Sequence, residues 1–127
     1  MRVVVVDDEA PARERLRGML AEFADVAVVG EAGDGVEALE TIARTQPDLI
    51  FLDIEMPGTS GLQLATALPP PRPRIVFCTA YDAYAVDAFE QNALDYVLKP
   101  LTRERLARAL ERARQTLGGV AVPRREL

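Results

Sequence analysis

The chain of 127 residues contains no histidine, one cysteine and one lysine. Each scarcity closes off a chemistry. A lone cysteine, Cys78, cannot form an internal disulfide, and without histidine a structural zinc site has few ligands to draw on. No imidazole is present to activate a serine or cysteine nucleophile. No apolar stretch approaches the roughly 20 residues that cross a bilayer, and Met1 leads straight into Arg2 and a four-valine run rather than into the layout of a signal peptide. A soluble, cytoplasmic chain without membrane contact is expected. The formal charge of −5 gives nucleic acid no attraction to this chain itself. With 49% apolar and 28% charged residues the composition is globular, and the length suits one domain around one core.

What is present is a repeated pattern. Short apolar runs at 3–6, 26–29, 49–52, 75–78 and 96–98 recur along the chain. None alternates apolar with polar residues, so each reads as a strand buried on both faces, in a parallel sheet covered by helices. Between them lie segments with helical spacing. The first carries Ala12, Leu16, Met19, Leu20 and Phe23 after Pro11, and the second carries Val36, Leu39, Ile42 and Ala43 and is ended by Pro47. A short third helix is expected at 62–68 and a fourth at about 82–91. The fifth follows Thr102 as N-cap, with Leu106, Leu110, Ala113 and Leu117 on one face. Five strand-helix units are too few to close a barrel. The expectation is an α/β fold: a single doubly wound, flavodoxin-like (βα)5 domain with parallel strand order 2-1-3-4-5. The run PPPRPR reads either as a stiff surface link before the fourth strand or as a ligand for a polyproline-binding partner. Gly118 and Gly119 read as the end of the fifth helix, which gives a domain at 1–117 and, at 118–127, a linker or the start of an effector domain.

Open parallel sheets bind ligands beyond the carboxyl ends of their strands, where the winding reverses. Here those ends carry Asp7, Asp8 and Glu9 on the first strand, Asp53 on the third, Thr79 on the fourth and Lys99 on the fifth. The first and third strands are neighbours in the expected order, so Asp7, Asp8 and Asp53 should share one pocket. A single carboxylate after a strand often only caps the next helix. Three of them on one edge are another matter, because unit charges about 4 Å apart repel by roughly 4 kcal/mol at an effective dielectric near 20. An all-oxygen, partly open site of this kind suits Mg²⁺. Asp53, at the tip of its strand, is then placed to attack a phosphoryl group, with Thr79 and Lys99 balancing charge on the phosphoryl oxygens. The solitary Lys99 is either drift among fifteen cationic residues or a position where a compact ammonium fits and a planar guanidinium does not. Tyr96 also fits an ordinary core position, Cys78 reads as a small core residue, and MPGTSG reads as a tight loop after Asp53 or as a generic turn.

The stretches VVVVDDE, LIFLDIEMPGTSG and FCTAYDAYAVDAFEQNALDYVLKP, with their spacing, resemble the receiver domain of bacterial two-component response regulators over nearly the whole chain, to about Leu117. The resemblance implies a phosphoacceptor at Asp53. It implies Mg²⁺ held directly by Asp8, Asp53 and the main-chain carbonyl of Glu55, with Asp7 acting through water. Thr79 becomes the switch hydroxyl, Tyr96 the switch aromatic, and Lys99 the partner of the phosphate, followed by a cis bond to Pro100. A sensor histidine kinase is the implied donor, and slow self-hydrolysis of the acyl phosphate replaces turnover of an external substrate. Phosphorylation is further expected to produce a homodimer through the fourth helix, fifth strand and fifth helix. In that dimer Asp82, Asp87 and Glu90 would face Arg103, Arg105, Arg108, Arg112 and Arg114 across a two-fold axis. The segment TAYDAYAVDAFEQNALDYVLKP is similar in particular to receivers of LytTR-type transcription regulators, which implies DNA contact only through a separate effector domain. Two other readings stay open: a stand-alone phosphate carrier, and a Mg²⁺-dependent aspartyl phosphatase. Against the second, Glu55 stands where a phosphatase of the haloacid dehalogenase type has an aspartate, and no insertion provides a cap.

Overall fold

The runs at 3–6, 49–52 and 75–78 form strands buried on both faces, as their lack of alternation requires, whereas those at 26–29 and 96–98, expected to be the same, lie at the two edges of the sheet and are only partly buried. The computed structural model describes residues 1–81 and 92–121. The strands β1 (Arg2–Val6), β2 (Ala27–Ala32), β3 (Leu49–Leu52), β4 (Arg74–Thr79) and β5 (Asp95–Leu98) make one parallel sheet in the expected order β2-β1-β3-β4-β5. Helices α1 (Ala10–Leu20), α2 (Gly35–Thr45) and α3 (Gly61–Ala67) follow β1, β2 and β3, and a C-terminal helix (Arg103–Ala121) follows β5. The helix expected at 82–91, with Asp82, Asp87 and Glu90, lies outside the described residues.

Successive side chains of a strand point to opposite faces, and here both faces are apolar. Val3, Val5, Leu49, Phe51, Val76 and Cys78 pack with Leu16 and Leu20 of α1 and with Leu106, Ala109 and Leu110 of the C-terminal helix. Val4, Val6, Ile50, Leu52, Ile75 and Phe77 pack on the other side with Ala38 and Ile42 of α2 and Leu64 and Ala65 of α3. Each fully buried Leu, Ile or Phe contributes about 1.5–3 kcal/mol. A slip of one residue would exchange the two layers, so the register at the strand ends is firmly set.

Three expectations about the helices are corrected. Of the apolar face assigned to α2 only Ile42 is buried, while Val36 is 72% and Leu39 38% exposed. Gly35, Ala38 and Thr41 face inward instead. Small residues prevail because α2 lies close on β2: a methyl group added at Gly30 would come within 2.6 Å of the Thr41 methyl carbon. Gly118 and Gly119 do not end the last helix, which runs through them to Ala121, so a boundary at 117 falls inside a helix. Glycine costs a helix about 1 kcal/mol relative to alanine, too little to stop one anchored by Leu106, Ala109, Leu110 and Ala113. Thr102 does cap it, its hydroxyl accepting from the Arg105 amide at 3.1 Å. The proline-rich run is an exposed link. Arg72 within it donates to the carbonyls of Leu68 and Thr66 at 3.0 and 3.1 Å, satisfying acceptors at the end of α3.

The third correction concerns the arginines of the C-terminal helix, which do not share one face. Arg103 and Arg114 pair with Glu22 and Asp25 after α1, whereas Arg105 and Arg112 turn to Asp95 at the start of β5. The Asp95 side chain is only 5% exposed. It accepts two hydrogen bonds from Arg105, at 2.9 and 2.6 Å, and one from the Tyr96 amide at 2.8 Å. Burial pushes its carboxyl upward, but the Arg105 bonds, the Tyr96 amide and the charges of Arg105 and Arg112 together outweigh burial and hold it below its ordinary value. Asp95 therefore stabilises the fold above the ordinary carboxylate pKa, and the contribution is lost as pH falls through the lowered native value. Arg105→Met leaves this buried charge only the longer Arg112 pair, at 3.4 Å, and the Tyr96 amide. Urea unfolding at pH 7 should show a loss of about 2–4 kcal/mol, and the gap to the parent should narrow as pH drops from about 5 to below 3. An unchanged gap across that range would remove Asp95 from the account.

Candidate functional site

β1 and β3 pair with Val6 opposite Leu52, so the next residues, Asp7 and Asp53, emerge side by side at the carboxyl edge. The Asp53 amide donates to the Val6 carbonyl at 3.0 Å, and the Asp7 amide to Ala32 at 3.1 Å. Across the sheet Thr79 pairs with Leu98, and the Lys99 amide donates to the Thr79 carbonyl at 2.8 Å. Carboxylates from two strands and an ammonium from a third are thus delivered by backbone register alone.

The carboxylate oxygens of Asp7, Asp8 and Asp53 lie within 4.8 Å of one another. Lys99 Nζ donates to Asp7 Oδ2 at 2.6 Å and to Asp53 Oδ2 at 3.2 Å. Asp7 and Asp53 are buried, each 6% exposed, and Asp8 is exposed. The remaining oxygen of Asp7 accepts from the Glu9 amide at 2.9 Å, and that of Asp53 from the Glu55 amide at 3.2 Å. Burial raises the Asp53 carboxyl above its ordinary value. Lys99 pulls it down, and the neighbouring Asp7 charge raises it further. Burial also works against the Lys99 charge, but its hydrogen bond to Asp7 and its attraction to Asp53 prevail and lift its pKa. Lys99 is bound more closely to Asp7, so Asp53 is the less neutralised of the two.

The loop after Asp53 is wound tightly for a reason visible in its glycines. Gly58 has φ +84°, and a side chain at Gly61 would place its first carbon 2.2 Å from the Asp53 carbonyl oxygen. Ser60 then starts α3 with a reciprocal capping box to Gln63. The MPGTSG stretch is accordingly a specific turn. Glu55, just before it, lies on the wall of a cleft of about 270 Å³ that is also lined by Asp8, Asp53, Thr79, Tyr81 and Lys99. Thr79 is fully buried, and its Oγ1 accepts from the Tyr81 amide at 3.4 Å. Tyr96 is half-buried on β5 and does not line this cleft; its hydroxyl donates to the Tyr81 carbonyl. The Lys99–Pro100 peptide is cis, as the resemblance implies. Cys78 sits in the core, where burial pushes its thiol up to about 11, which keeps it protonated and inert at neutral pH.

Asp7, Asp8, Asp53 and Lys99 are therefore brought together as expected, Thr79 and Glu55 join them, and Tyr96 stands outside the cleft with its hydroxyl on the Tyr81 carbonyl. Arg13 carries no mark in the sequence that sets it apart, whereas Tyr81 is signalled by its place two residues past the buried Thr79 hydroxyl. A hard cation that keeps several waters fits the donor set: three carboxylates against one ammonium leave two negative charges uncompensated.

Fold and site together define a flavodoxin-like α/β domain whose functional edge is an acidic cleft closed by one lysine. The chain belongs to the response regulator receiver domain family, whose model matches residues 3–111. It is 52% identical over 118 residues to an uncharacterized response regulatory protein of Yersinia pestis, covering 92% of this chain and 50% of that protein. It is 48% identical over 116 residues to the transcriptional regulatory protein BtsR of Escherichia coli, covering 91% and 48% respectively. The chain thus spans about half the length of the curated relatives it matches. Among solved structures it is similar to the response regulatory domain of mrkE from Klebsiella pneumoniae, with a TM-score of 0.85, 34% identity and coverage of 93% of this chain and 98% of that one. It is a signalling domain of two-component systems, a class that partners histidine kinases and binds Mg²⁺ at an acidic pocket.

A cation that binds the native carboxylates and not the unfolded chain stabilises by mass action. Excess Mg²⁺ should therefore raise the melting temperature, and Asp8→Asn should abolish most of the rise. In chelator, Asp53→Asn should melt higher than the parent, because it relieves the repulsion with Asp7 and leaves Lys99 its closer partner. Differential scanning calorimetry checks both, and identical melting of the parent with Mg²⁺ and with chelator would contradict the cluster.

Proposed function

We propose that Asp53 accepts a phosphoryl group from the phosphohistidine of a sensor kinase in the cytoplasm, and that the event controls transcription through a LytTR-type effector domain. The observation that carries this reading is the Lys99 ammonium, bonded at once to Asp7 and Asp53 at the rim of the acidic cleft. A carboxylate oxygen of Asp53 attacks phosphorus. The P–N bond to the kinase imidazole breaks, its electron pair stays on nitrogen, and a mixed anhydride remains on Asp53. Mg²⁺, held by Asp8, Asp53 and the Glu55 carbonyl with Asp7 acting through water, supplies positive charge against the phosphoryl oxygens when bound. Lys99 stays anchored on Asp7 by its shorter bond and moves its longer one from Asp53 to a phosphoryl oxygen. A single-point donor on a flexible stem can make that exchange, whereas a planar fork cannot do so without losing one partner. Water attacking the same phosphorus later returns the carboxylate and free phosphate, so the chemistry acts on the domain itself.

The signal leaves the cleft through one residue. Thr79 Oγ1 accepts from the Tyr81 amide, and the Tyr81 carbonyl accepts from the Tyr96 hydroxyl. A phosphoryl oxygen that draws the Thr79 hydroxyl inward shifts Tyr81 and with it the acceptor that holds Tyr96. The β5 side then changes shape and supports a symmetric dimer, bringing two effector domains onto paired DNA half-sites. Within the C-terminal helix the arginines of this contact narrow to Arg108, since Arg103 and Arg114 are committed to Glu22 and Asp25 and Arg105 and Arg112 to Asp95. Residues 1–117 together with the last helical turn form the receiver, and the effector is a separate domain. The double length of the relatives and the transcriptional role in the BtsR name support this arrangement.

Incubation with Mg²⁺ and a small phosphodonor should add one phosphoryl group by intact mass, and Asp53→Asn should add none; a parent that gains no mass overturns the reading. Lys99→Arg should still gain the group but lose phosphate-dependent dimerisation in analytical ultracentrifugation. Dimerisation equal to the parent's would defeat the role given to the lysine.

A further inference from the structure

We infer that Arg13 is a positioning residue for the metal-binding end of β1, acting through the main chain between Asp7 and Asp8. The inference rests on the reading of Asp8 and Asp53 as Mg²⁺ ligands. Arg13 Nη1 donates to the Asp7 carbonyl oxygen at 2.6 Å, while its Nε is bonded to Glu31 Oε1 on β2 at 3.0 Å. The other oxygen of Glu31 is held by Arg17 Nη1, one turn further along α1, at 2.9 Å. The Arg13 side chain is 19% exposed, and a methyl group at Gly33 would stand 3.1 Å from its Nη1, so the glycine leaves the guanidinium its place.

The consequence follows from peptide planarity. Pinning the Asp7 carbonyl fixes the plane of the Asp7–Asp8 peptide, and that plane sets the Cα position and side-chain direction of Asp8. Asp8 is exposed, so its backbone is what aims it. All four polar groups of Asp7 are taken: its amide by Ala32, its carbonyl by Arg13, and its carboxylate oxygens by Glu9 and Lys99. The Arg13 bond fixes the peptide that enters Asp8, and the Glu9 amide bond fixes the peptide that leaves it.

Charge and geometry make opposite demands on Arg13, which allows a clean test. A cation near the cleft repels Mg²⁺, so if Arg13 acted only by its charge, Arg13→Gln would bind the ion more tightly. Positioning requires weaker binding, by roughly ten-fold, as for other residues that orient metal ligands. Mg²⁺ affinity of the unphosphorylated protein, measured by isothermal titration calorimetry, reads this sign without any turnover. Arg17→Gln removes the same charge but no contact with Asp7, and should bind Mg²⁺ as well as the parent or better. Glu31→Gln keeps the Arg13 charge while loosening its orientation, and should weaken binding even if Arg13→Gln proves too unstable to purify. Affinity unchanged or increased in Arg13→Gln, or unchanged in Glu31→Gln, overturns the inference. A parent that binds no Mg²⁺ removes the metal reading itself, a result distinct from a binding parent with an indifferent variant.

Discussion

Pairing β1 with β3 in parallel places Asp7 beside Asp53, and neither can withdraw, because both strands are buried on both faces and their register cannot slip. Two carboxylates in this position are a standing electrostatic cost, offset by the one ammonium that reaches both. The compensation is incomplete, since exposed Asp8 adds a third negative charge. The domain is built with a deficit of positive charge at one point, and the arrival of a cation, followed by a group the cation can stabilise, is the natural way to relieve it. The chemistry of the cleft is in this sense a property of the sheet, set before any ligand is considered.

Rigid parts and a looser part divide the carboxyl edge between them. Asp7 is held through its side chain by Lys99 and through its carbonyl by Arg13, and the loop after Asp53 is locked by Gly61 against the Asp53 carbonyl and by the capping box of α3. The start of β5 is clamped by Asp95 and Arg105. Between these fixed points lies the connection from Thr79 through Tyr81 to Tyr96, made of a long hydrogen bond and a half-buried ring. On the function proposed above, a phosphoryl group at Asp53 would act on this connection, as on a two-state element.

Much of this was legible in the order of residues. Unbroken β-branched runs announced a parallel sheet, and the rule that ligands gather at carboxyl ends pointed to Asp7, Asp8, Asp53, Thr79 and Lys99 before any distance was known. The errors came where neighbours distant in sequence decide. The inward face of α2 is made of Gly35, Ala38 and Thr41 because β2 comes too close for Val36 or Leu39, a fact set by packing rather than by periodicity. Gly118 and Gly119 remain helical because the preceding turns are anchored in the core. The Asp95–Arg105 and Arg13–Glu31 pairs join different elements, so no local pattern distinguishes Arg105 or Arg13 from the other arginines. A helical wheel sorts such residues by angle alone and cannot say which of them meets a carboxylate on a strand.

The scarcity of lysine acquires a practical meaning once Lys99 is seen at the rim of the cleft. Apart from the N-terminus, the protein has a single primary amine, and it is the one bonded to the two buried carboxylates. Reagents selective for amines therefore address one side chain, with arginine supplying every other basic group. Reductive methylation with an isotopic label would install, besides a label on the N-terminal amine, one side-chain reporter, at the point where the charges of three strands meet.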